Sequence, residues 1–202
     1  MKLKCLNAQE LAHLYQRELV LAFPPAELKP LKSMLNLMAQ NRYQALGMYD
    51  DAGLHGYALL WLEPGIPFAL LDYFGTLDGQ RGTGLGSKML ELLADHYKDY
   101  RGIFGEAEDI CSSDPEEAAL QGRRLAVYQR NGFRSGGYDC ALFGVHYQTL
   151  IRGDADVTAE ELLDAHQRIY RSGIPPQAYE RFIQIPLQEG ESVRILTDWA
   201  ET

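Results

Sequence analysis

The sequence predicts an α/β protein of the α+β kind, a mixed twisted sheet flanked by helices, and two observations carry that expectation. Three apolar runs, "YQALGMYD", "HGYALLWLE" and "FALLDYFGTL", follow one another with only the turn signals "DDAG" and "EPGIP" between them, which is the spacing of an antiparallel meander. The last run then leads through a glycine-rich stretch and a helical pattern into another strand-like run, "GIFGEAEDI". A strand reached through a helix pairs in parallel with the strand before it, so the sheet is mixed.

Taken in order, "LKCL" is a short strand, and Asn7 is placed to cap the helix that follows. Leu11, Leu14, Tyr15, Leu19 and Phe23 recur there at helical spacing until Pro24 and Pro25 stop it. A second helix is expected over residues 26–40, then the three strands, then a helix from residue 87 to about residue 100. "DPEEAALQGRRLAVYQRNGF" opens with an acidic first turn and closes at Asn131-Gly132, a helix with a glycine stop. "YDCALFGVHYQTLI" is strand-like. Thr158 and Glu161 form a capping box for a helix over "TAEELLDAHQRIY", and "GIPP" interrupts before a last mixed segment. Residues 1–150 are expected to form one domain, with 151–202 a helical C-terminal extension packed on it.

Composition narrows the function classes. Apolar residues make up 46% and charged residues 23% of the 202, which excludes a disordered chain. A net charge of -9 opposes nucleic-acid binding, because Arg123-Arg124 is the one local basic pair. Cys5, Cys111 and Cys140 are odd in number and contain no CxxC, so buried reduced thiols are expected in place of a disulfide framework or zinc site. The start "MKLKCLNAQEL" lacks the apolar stretch of a signal peptide, and no window reaches the roughly 18 apolar residues of a membrane span. The expectation is a cytoplasmic protein without a membrane partner. His13, His55, His96, His146 and His166 show no metal-ligand spacing and are assigned structural or surface roles, and no metal is expected.

The stretch "GQRGTGLGSK" (79–88) concentrates glycine immediately before a helix. A Walker loop is excluded because Leu85, not Lys, follows Gly84; a dinucleotide fingerprint fails because Ser87 stands where Gly82-x-Gly84 requires its third glycine. Residues without Cβ let successive backbone N–H groups converge, and the helix start favours an anion, so a pyrophosphate fits; a bare β-to-α turn is the alternative.

Arg81-x-x-Gly84-x-Gly86, with Gln80 before it, resembles the signature of the GNAT N-acetyltransferase superfamily. The order of elements is similar too, as is "LAVYQRNGF" (125–133) to that family's late helix ending in Tyr and Gly-Phe. The resemblance covers roughly residues 1–150 and leaves the last fifty without a family motif. It implies acetyl-CoA as donor, with its pyrophosphate on Arg81, Gly82, Thr83, Gly84, Leu85, Gly86 and Ser87 and its pantetheine arm where two parallel strands part. A main-chain N–H near Thr76 and Leu77 would polarise the thioester carbonyl. Tyr128 matches the residue that protonates the departing thiolate; a core aromatic is the other reading. Arg123 departs from an Asn common in the family, which puts one cofactor contact in doubt; Arg123 or Arg124 could instead meet a phosphate.

The implied reaction is direct transfer to a primary amine, a small cationic one, and a non-catalytic acyl-CoA sensor is the rival. A homodimer is possible. An amine with a pKa of about 10.4 costs about 4 to 5 kcal/mol to find neutral at pH 7, so a base is needed. Glu106 and Glu108 lie two apart on a strand and share a face with Phe104, while Ile103 and Ala107 take the other. They suit holding a cation and acting as base through water; solvent-facing charges are the plainer reading. Asp72, inside an apolar run, could be a further acceptor carboxylate, with a capped or solvent-facing position favoured.

Overall fold

The computed structural model describes every residue except Ala26, Arg81, residues 111–113 and residues 195–202, and the side chain of Glu117. Arg81 and Cys111 thus lie outside the described residues.

β1 (Lys2–Cys5) leads to α1 (Ala8–Leu14), where Asn7 and Glu10 cap each other's backbone N–H groups. The helix continues through a π-helical turn, Tyr15–Leu19, into α2 (Val20–Ala22), and ends before Pro24 as expected. The second helix is shorter than the sequence implies. α3 spans Leu31–Ala39, because Pro30 disfavours helical backbone at Lys29 and serves as the helix start. Then come β2 (Tyr43–Asp50), β3 (Gly53–Leu62) and β4 (Phe68–Thr76), the expected antiparallel meander, with β1 added along the outer edge of β2.

The glycine stretch opens α4 (Leu85–His96), which returns the chain to β5 (Gly102–Glu108), parallel to β4. α5 (Pro115–Arg130) stops at Gly132, whose φ is +80°. The strand-like run over 138–151 lies in a hairpin, β6 (Arg134–Leu142) and β7 (Val145–Gly153). Its two turn residues, Phe143 and Gly144, both take positive φ, the geometry a two-residue hairpin loop demands. Phe143 tolerates this because its ring is buried and stacked on Phe182. α6 (Ala159–Gly173), capped by Thr158 and Glu161, and α7 (Pro176–Phe182) follow, and β8 (Ile183–Gln184) closes the chain against β6.

Among the described residues, eight strands form one sheet in the order β1-β2-β3-β4-β5-β7-β6-β8. One face is covered by α1, α3, α6 and α7, whose buried residues Leu11, Leu14, Met34, Leu162, Ile169 and Phe182 join Trp61, Leu70 and Phe104 of the sheet. The other face is covered by α4 and α5, through Met89, Leu90, Leu93 and Leu125. The extension therefore shares the main core. It packs tightly at Gly173, where an added Cβ would lie 2.1 Å from the Trp61 ring. No helix among the described residues is long and apolar enough to cross a membrane. Cys140 is buried as expected, but Cys5 is exposed at the sheet edge.

Candidate active site

β4 and β5 pair over three residues only, Phe68 to Leu70 with Gly102 to Phe104. Beyond that point β4 stays with β3 and β5 stays with β7 as far as Glu108, so the sheet opens between its two central parallel strands. In β4, Asp72 is the extra residue of a bulge between Leu71 and Tyr73. Leu77 donates its N–H to the His55 carbonyl, 3.0 Å. Ladder bonds alternate along an antiparallel strand, so Thr76, one residue earlier, turns its N–H away from β3 and into the opening. Of the pair Thr76 and Leu77, Thr76 is the one whose N–H β3 does not use.

α4 begins beside this opening. Gly84, at φ +83°, precedes its first turn, where neither a side-chain cap nor an acidic residue competes for the N–H groups of Leu85, Gly86 and Ser87. Gly82, Thr83 and Gly84 are exposed, and space around the Gly82 and Gly84 Cα atoms is open. This end fits an anion such as the pyrophosphate of acetyl-CoA, for which the uncapped backbone is the test. The loop is held from behind. Gln80 accepts from His55 Nδ1 at 2.9 Å while His55 Nε2 reaches Asp50 at 2.6 Å, and the aspartate chiefly raises the His55 pKa. Ser87 accepts from Asn131 Nδ2 at 2.9 Å, tying the first turn of α4 to the end of α5.

Tyr128 projects from α5 between Phe74 and Phe133, with ring centroids 6.1 and 5.3 Å away. Burial, with a smaller contribution from the Glu106 charge, pushes its hydroxyl pKa up to about 12. Among the described residues that hydroxyl has no hydrogen-bond partner. Glu106, whose side chain is 7% exposed, accepts from His166 Nε2 at 2.8 Å and from Tyr170 OH at 3.0 Å, both on Oε1.

No protein-family model and no curated protein matches the sequence. Solved structures do match by shape. A putative GNAT-family acetyltransferase from Bacteroides thetaiotaomicron superposes with a TM-score of 0.66 at 20% identity, over 87% of this chain and 100% of its own. The ribosomal-protein-S18-alanine N-acetyltransferase of Escherichia coli gives 0.54 at 16% identity, over 77% and 97%. A spermidine N-acetyltransferase chimera from Vibrio cholerae gives 0.56 at 12%, over 80% and 99%. The fold is that of the GNAT acetyltransferases.

Within this GNAT fold, the residues singled out from the sequence occupy distinct places. Gly82 to Ser87, Thr76, Tyr128 and Glu106 border the opening or its helix start. Phe104 packs in one core, Ile103 and Ala107 in the other, as strand alternation requires. Glu106 and Glu108 have separate partners, however. Glu108 turns at the strand end to α5, accepting from Gln121 at 2.8 Å and from Arg124 at 3.3 Å. Arg124 is thereby engaged, and Arg123 is exposed. The favoured reading of Asp72 as capped or solvent-facing is corrected. Its carboxylate is buried against Lys29, 2.7 Å away, and the Tyr43 hydroxyl, because the bulge turns it into an aromatic interior.

Two residues at the site carried no family motif. His166 and Tyr170 lie four apart on the buried stripe of α6 with Leu162, Ala165 and Ile169. A histidine and a tyrosine on an apolar stripe are the signal that could have marked them, since each needs a buried partner.

Proposed function

We propose that the protein is an acetyl-CoA-dependent N-acetyltransferase acting by direct transfer to a primary amine, a small cationic one. The observation that carries this reading is the parting of β4 and β5 beside an uncapped, glycine-started helix. Bound there, acetyl-CoA would supply the activated acyl thioester. The N–H groups of Leu85, Gly86 and Ser87 would hold its pyrophosphate, and the Thr76 N–H would polarise its acyl carbonyl. Glu106 takes the proton that the incoming ammonium must lose. Tyr128, kept protonated by burial, returns one to the departing sulfur. The net charge of -9 favours a cationic acceptor over an anionic one.

Thermal shift against acetyl-CoA, ATP and NAD tests the loop. Acetyl-CoA at 100 times its dissociation constant adds about 2.7 kcal/mol, and the absence of any shift sinks the reading. An amine panel assayed for free CoA thiol tests transfer. A second reading, an acyl-CoA sensor without turnover, draws on α6 lying over Glu106. Tight acetyl-CoA binding with no amine turned over would establish that alternative.

A further inference from the structure

Among the described residues, Glu106 is held from one side. Both donors that reach it belong to α6, and both fall on Oε1, so that among the described residues Oε2 has no partner. His166 is fully buried, packed edge-on against Phe104 at 5.3 Å and against Tyr170 at 5.2 Å. Its second nitrogen, Nδ1, lies 3.0 Å from the Tyr138 hydroxyl of β6. With Nε2–H committed to the carboxylate, a neutral ring leaves Nδ1 as acceptor for the Tyr138 O–H. The result is a chain, Tyr138 to His166 to Glu106, with Tyr170 as a second donor at its end.

We infer that His166 and Tyr170 are positioning residues for Glu106: they anchor Oε1 so that Oε2 alone is presented to the amine. The inference rests on the acetyl-transfer reading and gives the C-terminal extension a role in the site. Two donors on one oxygen stabilise the charged, proton-accepting carboxylate and fix the rotation of its plane. The other groups around it leave this effect in place. Tyr128 of α5, Tyr138 and Cys140 of β6 and Tyr147 of β7 all feel the Glu106 charge, and burial holds each protonated. Asp72 of β4 lies beyond Tyr170 and is matched by Lys29.

The test is a carbon-13 NMR titration of the Glu106 carboxyl in the full chain and in Tyr170→Phe, His166→Leu and His166→Gln. Loss of a donor to the charged form should move the midpoint up in the first two. His166→Gln, whose amide can still donate, should stay near the parent. An unchanged midpoint in folded Tyr170→Phe overturns the inference, as does a His166→Gln midpoint displaced as far as that of His166→Leu. Acetyl-CoA thermal shift on the same samples separates the two ideas. A parent that ignores acetyl-CoA refutes the transferase reading, whatever the titration gives. Where an amine is turned over, the acid limb of kcat should move with the carboxyl midpoint while KM for acetyl-CoA holds.

Discussion

A phenol pushed up to about 12 stays protonated at every pH where an acetyl transfer would run, so Tyr128 is suited to giving a proton and not to taking one. Tyr128→Phe keeps the ring against Phe74 and Phe133 and removes only the hydroxyl. The expected outcome is a fall in kcat of about 10²- to 10⁴-fold with acetyl-CoA affinity intact, read from steady-state kinetics and a binding isotherm. Asp72 calls for a different measurement. It and Lys29 have side chains only 8% exposed, and the Lys29 ammonium sits 4.3 Å over the Trp61 ring. Asp72→Asn leaves a buried ammonium with its charge unmatched, at a cost of about 3 to 5 kcal/mol in urea denaturation. The double variant Asp72→Asn with Lys29→Met should recover much of that loss.

At the level of the element, the glycine loop and α4 were legible because their chemistry is local. Spacing alone separates this uncapped helix start from Walker and dinucleotide loops, and Gly84 has the left-handed backbone that glycine favours. Gly84→Ala meets no steric neighbour, so its expected cost of about 1 to 2 kcal/mol comes from the backbone alone. Thermal denaturation checks that, and a parallel titration should show weaker acetyl-CoA binding as the first turn is re-aimed. The β6-β7 hairpin was illegible for the opposite reason. Phe143-Gly144 is a weak turn signal by composition, and what stabilises it is Phe182, thirty-nine residues on. Glu106 and Glu108 show the same limit. Alternation puts them on one face, but Glu106 meets α6 there whereas Glu108, at the strand end, turns to α5, which covers the other face.

For the molecule as a whole, buried tyrosines set the alkaline limit of stability. Burial raises the pKa of Tyr43, Tyr73, Tyr97, Tyr128, Tyr138, Tyr147 and Tyr170 above the ordinary value. Each folded-state value exceeds the unfolded one, so this stabilisation is complete below about pH 10 and is lost as pH rises further. Above that pH the folded chain binds more protons than the unfolded chain, and Tm should fall progressively toward pH 12. The tyrosinate absorbance should appear together with unfolding, not before it. The extension meets the rest of the chain at Gly173 on Trp61, at Arg101 with Asp154, Asp156 and Glu161, and at Glu106. None of these contacts leaves a local pattern, since His166 stands sixty residues from the carboxylate it donates to. That separation also orders events during translation. The strands that part and the helix that starts at Gly84 leave the ribosome ahead of α6, so the donors that anchor Glu106 are synthesised well after the carboxylate itself.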